Sequence, residues 1–207
     1  MGLVGTMAAL VLGLLVASAK SSYDAQSTAL TELSAKTMLL DRILRGYGPE
    51  AKEARESLRG GVVRIMEKIW PEERTTSAQL LPTASGVEYL YDKVQALTPK
   101  DDRQRTLQSQ ALSMMIGMGQ TRWLMYEQAA TSVLRPLMIM MVFWLTIIFI
   151  SWGLFAPSNA TVLASFFVAA LSVSGAIFLI LELYTPYSGW LRISSEPLHV
   201  ALAVLGQ

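Results

Sequence analysis

At 207 residues, with 52% hydrophobic and 16% charged side chains and a formal net charge of +1, the chain is more apolar than an ordinary soluble domain and close to neutral. The absence of cysteine and the single histidine, His199, exclude disulfides, thiolate zinc sites, cysteine nucleophiles and paired-histidine metal centres, leaving only oxygen-ligand Ca²⁺ or Mg²⁺ sites open. Sixteen of the 17 Lys+Arg and 14 of the 16 Asp+Glu lie between Lys20 and Arg135 with signs interspersed, so no basic stripe tracks a phosphate backbone and nucleic acid is not an expected partner.

The first element is the uncharged run Met1 to Ala19, just long enough to cross a bilayer. Ala17-Ser18-Ala19 resembles a signal-peptidase site, but no Lys or Arg precedes Lys20 as a signal peptide requires. Gly5, Ala9, Gly13 and Ala17 recur every four residues, a small-residue stripe that lets two membrane helices approach closely. The run therefore reads as a retained span. No strong breaker follows Gly13 until Gly46, so the span is expected to continue as one long helix, now amphipathic, with a heptad-like seam of Leu30, Leu33, Thr37, Leu40 and Leu44.

A second helix is predicted from Pro49 to Ile69, with Pro49 in its first turn, Gly60-Gly61 weakening its middle and Trp70-Pro71 stopping it. Residues 71 to 82 read as a loop, followed by a short helix from about Thr83 to Leu97 with Val87, Leu90, Tyr91 and Val94 on one side. Thr98 is the expected N-cap of the next helix, with Pro99 at its first position and its end near Ser132. Its apolar face is Leu107, Ala111, Met114, Met115, Met118 and Met125, which suits packing or an adaptable binding surface.

From Pro136 to Leu181, 46 residues carry no Asp, Glu, Lys or Arg. As one helix they would run roughly 69 Å, more than twice the hydrocarbon thickness, so the stretch must fold back. Ala156-Pro157-Ser158-Asn159 is the place to turn, since Pro157 disfavours helix before it and Asn159 suits the next helix start. Beyond Glu182, Tyr184, Tyr187 and Trp190 with Arg192 form an expected interfacial belt. A last short helix puts Leu198, Ala201, Leu202 and Leu205 on one face, suited to the membrane surface or a neighbouring subunit. The 156–160 turn holds no cation, whereas Lys20, Arg122, Arg135 and Arg192 flank the other span ends, which places the charged block and C-terminus in the cytoplasm.

Candidate chemistry is sparse. Glu72-Glu73 and Asp101-Asp102 read as solvated turn or helix-start charges, and His199 as a surface histidine. Within the spans Ser165, Ser172 and Ser174 sit on a helix with Ala169, Gly175 and Ala176, a face for close packing or a narrow aqueous path. Glu182 is the one acid at the hydrophobic boundary, either a functional group or a headgroup-level carboxylate paired with Arg192. No catalytic residue, cofactor or metal site is identified.

Leu97-Thr98-Pro99, Arg103-Gln104-Arg105, Thr121-Arg122-Trp123, Gly153 to Asn159 (GLFAPSN), Ala176 to Glu182 (AIFLILE) and Ile193-Ser194-Ser195 resemble the bacterial bestrophin-like membrane proteins of unknown function. Members commonly carry another hydrophobic segment ahead of the one at residues 1–19, so the resemblance implies one span fewer here, natively or by where the chain starts. Gly13-Leu14-Leu15 followed by Ser22-Tyr23-Asp24 is similar to the end of a membrane helix in true bestrophins, pentameric anion channels, although Ser18 and Ala25 stand where that pattern has arginines.

The expected molecule is an all-α integral membrane protein with three spans. Its parts are a first span at 1–19, a helical cytoplasmic domain at 20–134, a membrane hairpin at 135–183 turning at 156–160 through Pro157 and Asn159, and an interfacial segment at 184–207. Its partners would be the lipid bilayer, inorganic ions and copies of itself, a pentamer by resemblance, in a bacterial inner membrane. Gly5, Ala9, Gly13, Ala17, Ser165, Ser172, Ser174 and Glu182 are the pore-lining or helix-packing candidates. The implied function is a non-enzymatic, cofactor-free ion channel or passive pathway; the alternative is a non-conducting scaffold or sensor binding a partner through the Leu30 to Leu44 seam or the methionine face.

Overall fold

A computed structural model of the chain describes residues 2–70, 84–130, 134–157 and 159–205, and among them every long element is an α-helix. The expected loop at 71–82 and the Glu72-Glu73 pair lie outside the described residues, as does Ser158. Packing separates two units, one of Met1–Asp24 with Ala130–Leu191 and one of Ala25–Ala129 with Arg192–Gln207. Helix α1, Gly2–Tyr47, is the one long helix that the sequence leads to expect, ending at Gly46-Tyr47-Gly48.

Among the described residues three helices are long and apolar enough to cross a membrane: the N-terminal one, whose most apolar stretch has mean hydropathy 1.4, and α5 (Leu134–Phe155) and α6 (Ala160–Leu183), each at 2.3. In the first unit Leu15 and Ala19 of α1 meet Met141 of α5 and Ile180 and Leu183 of α6, with Val11, Leu12, Met138, Leu145 and Ile177 around them. Higher on the hairpin Phe149 and Phe166 meet edge to face, 6.4 Å between centroids. Little else is enclosed: Ile139, Leu154, Leu163 and Phe167 are exposed.

The second unit is built differently. The seam residues Leu30, Thr37, Leu40 and Leu44 are buried within it, each buried leucine contributing roughly 2 kcal/mol. Gly48, at φ +129, turns the chain into a 3₁₀ turn, Pro49–Ala51, ahead of α2 (Lys52–Ile69). Gly60-Gly61 does not break α2, because Ala54, Leu58, Val62 and Ile69 hold it along one buried face. Helix α3, Ala84–Gln95, packs on α2 through a unit core that includes Leu90 and Val94.

Helix α4, Asp102–Ala130, begins later than Thr98 suggested. The cap is Asp101, whose carboxylate accepts the Gln104 N–H at 2.7 Å while the Gln104 side chain accepts the Lys100 N–H at 2.7 Å. A carboxylate one residue before the helix satisfies its open N–H groups, which Thr98 is too far back to do. The methionine face packs inward, with Ala111, Met115 and Met125 buried. Helix α7, Glu196–Leu205, buries Leu198, Ala201 and Leu205 and packs on α2, so that face is core of this unit and not free for a membrane surface. Ser34 on α1 donates to the Pro197 carbonyl, and the Trp70 indole donates to the Ile193 carbonyl at 3.0 Å.

Candidate functional site

The α5–α6 turn is fixed locally. Asn159 is extended (φ −129, ψ 158) and its side-chain oxygen accepts the Val162 N–H at 2.9 Å, while its own N–H donates to the Pro157 carbonyl at 2.9 Å. Pro157 cannot continue α5 and Asn159 starts α6, so two apolar helices follow one another through a tight corner.

The small-residue stripe lies mostly off the core. Positions four apart drift about 40° per step round a helix, so Gly5 is half-buried near the core side while Ala9, Gly13 and Ala17 are exposed. A Cβ added at Gly5 or Gly13 would meet nothing within 4 Å. Ala8, Leu15 and Ala19 take the inner face instead.

Three of the span hydroxyls are held along their own helices. Ser165 donates to the Thr161 carbonyl and Ser172 to the Val168 carbonyl, both at 2.9 Å, and Thr146 to the Val142 carbonyl at 2.7 Å. Ser165 and Ser172, seven apart, share one exposed side of α6, but Ser174 is about 200° from Ser172 round the axis and does not join it. The three serines are therefore not one face.

Glu182 departs furthest from expectation. It is 9% exposed, and among the described residues its carboxylate forms no ion pair; one oxygen accepts the backbone N–H groups of Trp190 and, at 3.1 Å, Leu191. Gly189, at φ +90, lies against it: a Cβ there would come 2.8 Å from the carboxyl carbon. The expected aromatic belt divides accordingly. Tyr187 is buried, which pushes its hydroxyl pKa up; Tyr184 reaches Ser18 at 3.4 Å; Trp190 alone is fully outward, 90% exposed. Gly189 escaped sequence reasoning, although Pro186-Tyr187-Ser188-Gly189 is a turn composition.

In the second unit the charged groups serve structure. Buried Asp41 takes Arg55 at 2.7 and 3.2 Å and Arg45 at 3.2 Å, and the Asp41 hydrogen bond raises the Arg55 pKa. Asp41 too went unread in the sequence, its only signal being an acid inside the leucine seam. Lys100 on Glu50 and Lys93 on Glu53, the latter at 2.8 Å, hold both carboxyls below their ordinary range. Burial lowers the Arg122 guanidinium, one of the cations counted for orientation. Asp102 pairs with Arg105 at 3.0 Å, His199 is exposed, and among the described residues no three of Asp, Glu and His converge as a metal set.

Residues 1–198 match the family model described as the Bestrophin-like domain, and the chain belongs to that family. No curated protein and no solved structure matches it.

Proposed function

We propose that this member of the bestrophin-like family is a self-associating integral membrane protein that provides a passive pathway for inorganic ions, with its charged helical unit in the cytoplasm. The observation that carries the reading is how little the three apolar helices bury: only 17%, 11% and 6% of their most apolar windows are buried inside one chain. Lipid covers part of that surface. The open stripe of Gly5, Ala9, Gly13 and Ala17 suits close approach of another copy, and a pathway would be formed by copies round an axis. Ser165 and Ser172, exposed on one side of α6, are the hydroxyls available to line it; Glu182, tied into its own loop, is not assigned that role. The cation distribution supports the orientation, and the family supports a pentamer.

The scaffold reading is less well supported, since Leu30, Leu40, Leu44, Met115 and Met125 are buried within this chain, with Leu33, Met114 and Met118 half-buried beside them. The test is ion flux from purified protein in liposomes together with particle images of the assembly. Ion-dependent currents from a ring of copies are expected, and Gly13→Leu is expected to disperse the ring and remove the flux. Flat traces from well-folded oligomers would overturn the proposal.

A further inference from the structure

We propose that Glu182 and Gly189 form a latch that folds the segment after α6 back on the helix end and thereby presents Trp190 to the lipid headgroup layer as the anchor of that span. Four observations converge. Glu182 is in the last turn of α6, a helix whose outward apolar side chains, Leu163, Phe167 and Leu171 among them, are exposed for lipid. Its carboxylate accepts the N–H groups of two consecutive residues, Trp190 and Leu191, closing a loop of eight or nine residues. Gly189 supplies both the positive φ and the missing Cβ that let the backbone come so close. The loop is tied further by the Ser188 N–H on the Thr185 carbonyl at 3.0 Å, and it tucks Tyr187 inward while leaving Trp190 90% exposed.

The occupant that fits is the headgroup layer. An indole has an apolar body and one N–H donor, the combination that settles where hydrocarbon meets headgroups, and Trp190 is seven residues beyond the end of a 24-residue apolar helix in the same unit. One oxygen of the carboxylate that holds it accepts both backbone donors, so the tie is made within the loop and needs no cation from another element. Glu182 on this account is a positioning residue; Trp190 makes the contact. The inference rests on α6 spanning the bilayer but not on ion conduction.

The chain has no cysteine, so single-cysteine variants can be spin-labelled without background. Labels at Ser188→Cys and at Leu171→Cys, the latter on an exposed mid-helix position, would be read in phosphatidylcholine vesicles by their collisions with oxygen and with a water-soluble nickel chelate. The expected result is a hydrocarbon signature at 171 and a headgroup signature at 188. Adding Glu182→Ala or Gly189→Val is expected to raise chelate access at 188 several-fold and leave 171 unchanged, which also shows that the span is intact. Glu182→Gln, which keeps a carbonyl acceptor, is expected to restore the native depth, and Trp190→Ala to release the loop with Glu182 in place. A label at 188 as open to the chelate as free label, or shielded from both reagents by a second copy, would overturn the proposal, as would no response to Glu182→Ala and Gly189→Val. A watery signature at 171 would instead remove the membrane reading beneath it.

Discussion

The two units of this chain are stabilised by different means. The unit of Ala25–Ala129 and Arg192–Gln207 buries leucines completely and also buries Gln26, Ser34, Thr37 and Asp41, with hydrogen-bond partners such as the Met125 carbonyl for Gln26 at 3.0 Å. The unit of Met1–Asp24 and Ala130–Leu191 has its main core of buried residues where Leu15, Ala19, Met141, Ile180 and Leu183 meet, and exposes large apolar side chains along most of its helices. Water drives apolar burial in the first case. Lipid tails are as apolar as leucine, so in the second only packing and hydrogen bonds distinguish a helix neighbour from solvent. The membrane unit is therefore defined by what surrounds it as much as by itself.

The sharpest way to break this contrast is to truncate the same side chain in both. Leu40→Ala, at a position 0% exposed, is expected to cost about 3 kcal/mol through lost transfer energy and the cavity left behind. Leu171→Ala, at a position 64% exposed, should change stability by under about 0.5 kcal/mol. Thermal unfolding in detergent compares them, and equal losses would end the distinction. A smaller effect tests the corner of the hairpin: Asn159→Ala removes the side-chain acceptor of the Val162 N–H and should cost about 1 kcal/mol, with Asn159→Asp largely retaining it.

The smallest effect is electrostatic and confined to the charged unit. Lys100 and Lys93 hold Glu50 and Glu53 below their ordinary value of 4.5, so the stability these pairs add is present above that pH and is lost as pH falls through the lowered folded values. Both pairs are exposed and screened. A fall in melting midpoint below pH 4.5 is expected, slightly smaller in a Glu50→Gln, Glu53→Gln variant.

Much of the membrane unit was legible in the sequence because its signals are compositional. The uncharged stretch from 136 to 181 exceeds one span, and Pro157 with Asn159 leaves one place to turn; α5 and α6 end and begin there. The helical unit was legible as helices but not as contacts. Periodicity marked the Leu30 to Leu44 seam and the methionine face without saying that both would be covered by this same chain. The α7 face misled for the same reason, since an apolar stripe suits a membrane surface and a core equally. At the candidate site the sequence left Glu182 as either a functional group or a headgroup-level carboxylate paired with Arg192; its partners are backbone groups eight and nine residues on, which no side-chain pattern announces.

Two glutamines one turn apart on α4 carry a last consequence. Gln104 donates to the Tyr47 carbonyl at 2.9 Å, and Gln108 donates to the carbonyls of Val94 at 2.9 Å and Leu97 at 2.8 Å, so one helix closes the trailing ends of α1 and α3. These joints use neutral amides where lysine or arginine would also serve. Ionic strength that loosens the Lys93 and Lys100 pairs leaves them in place, and the start of α4 remains a salt-indifferent clasp.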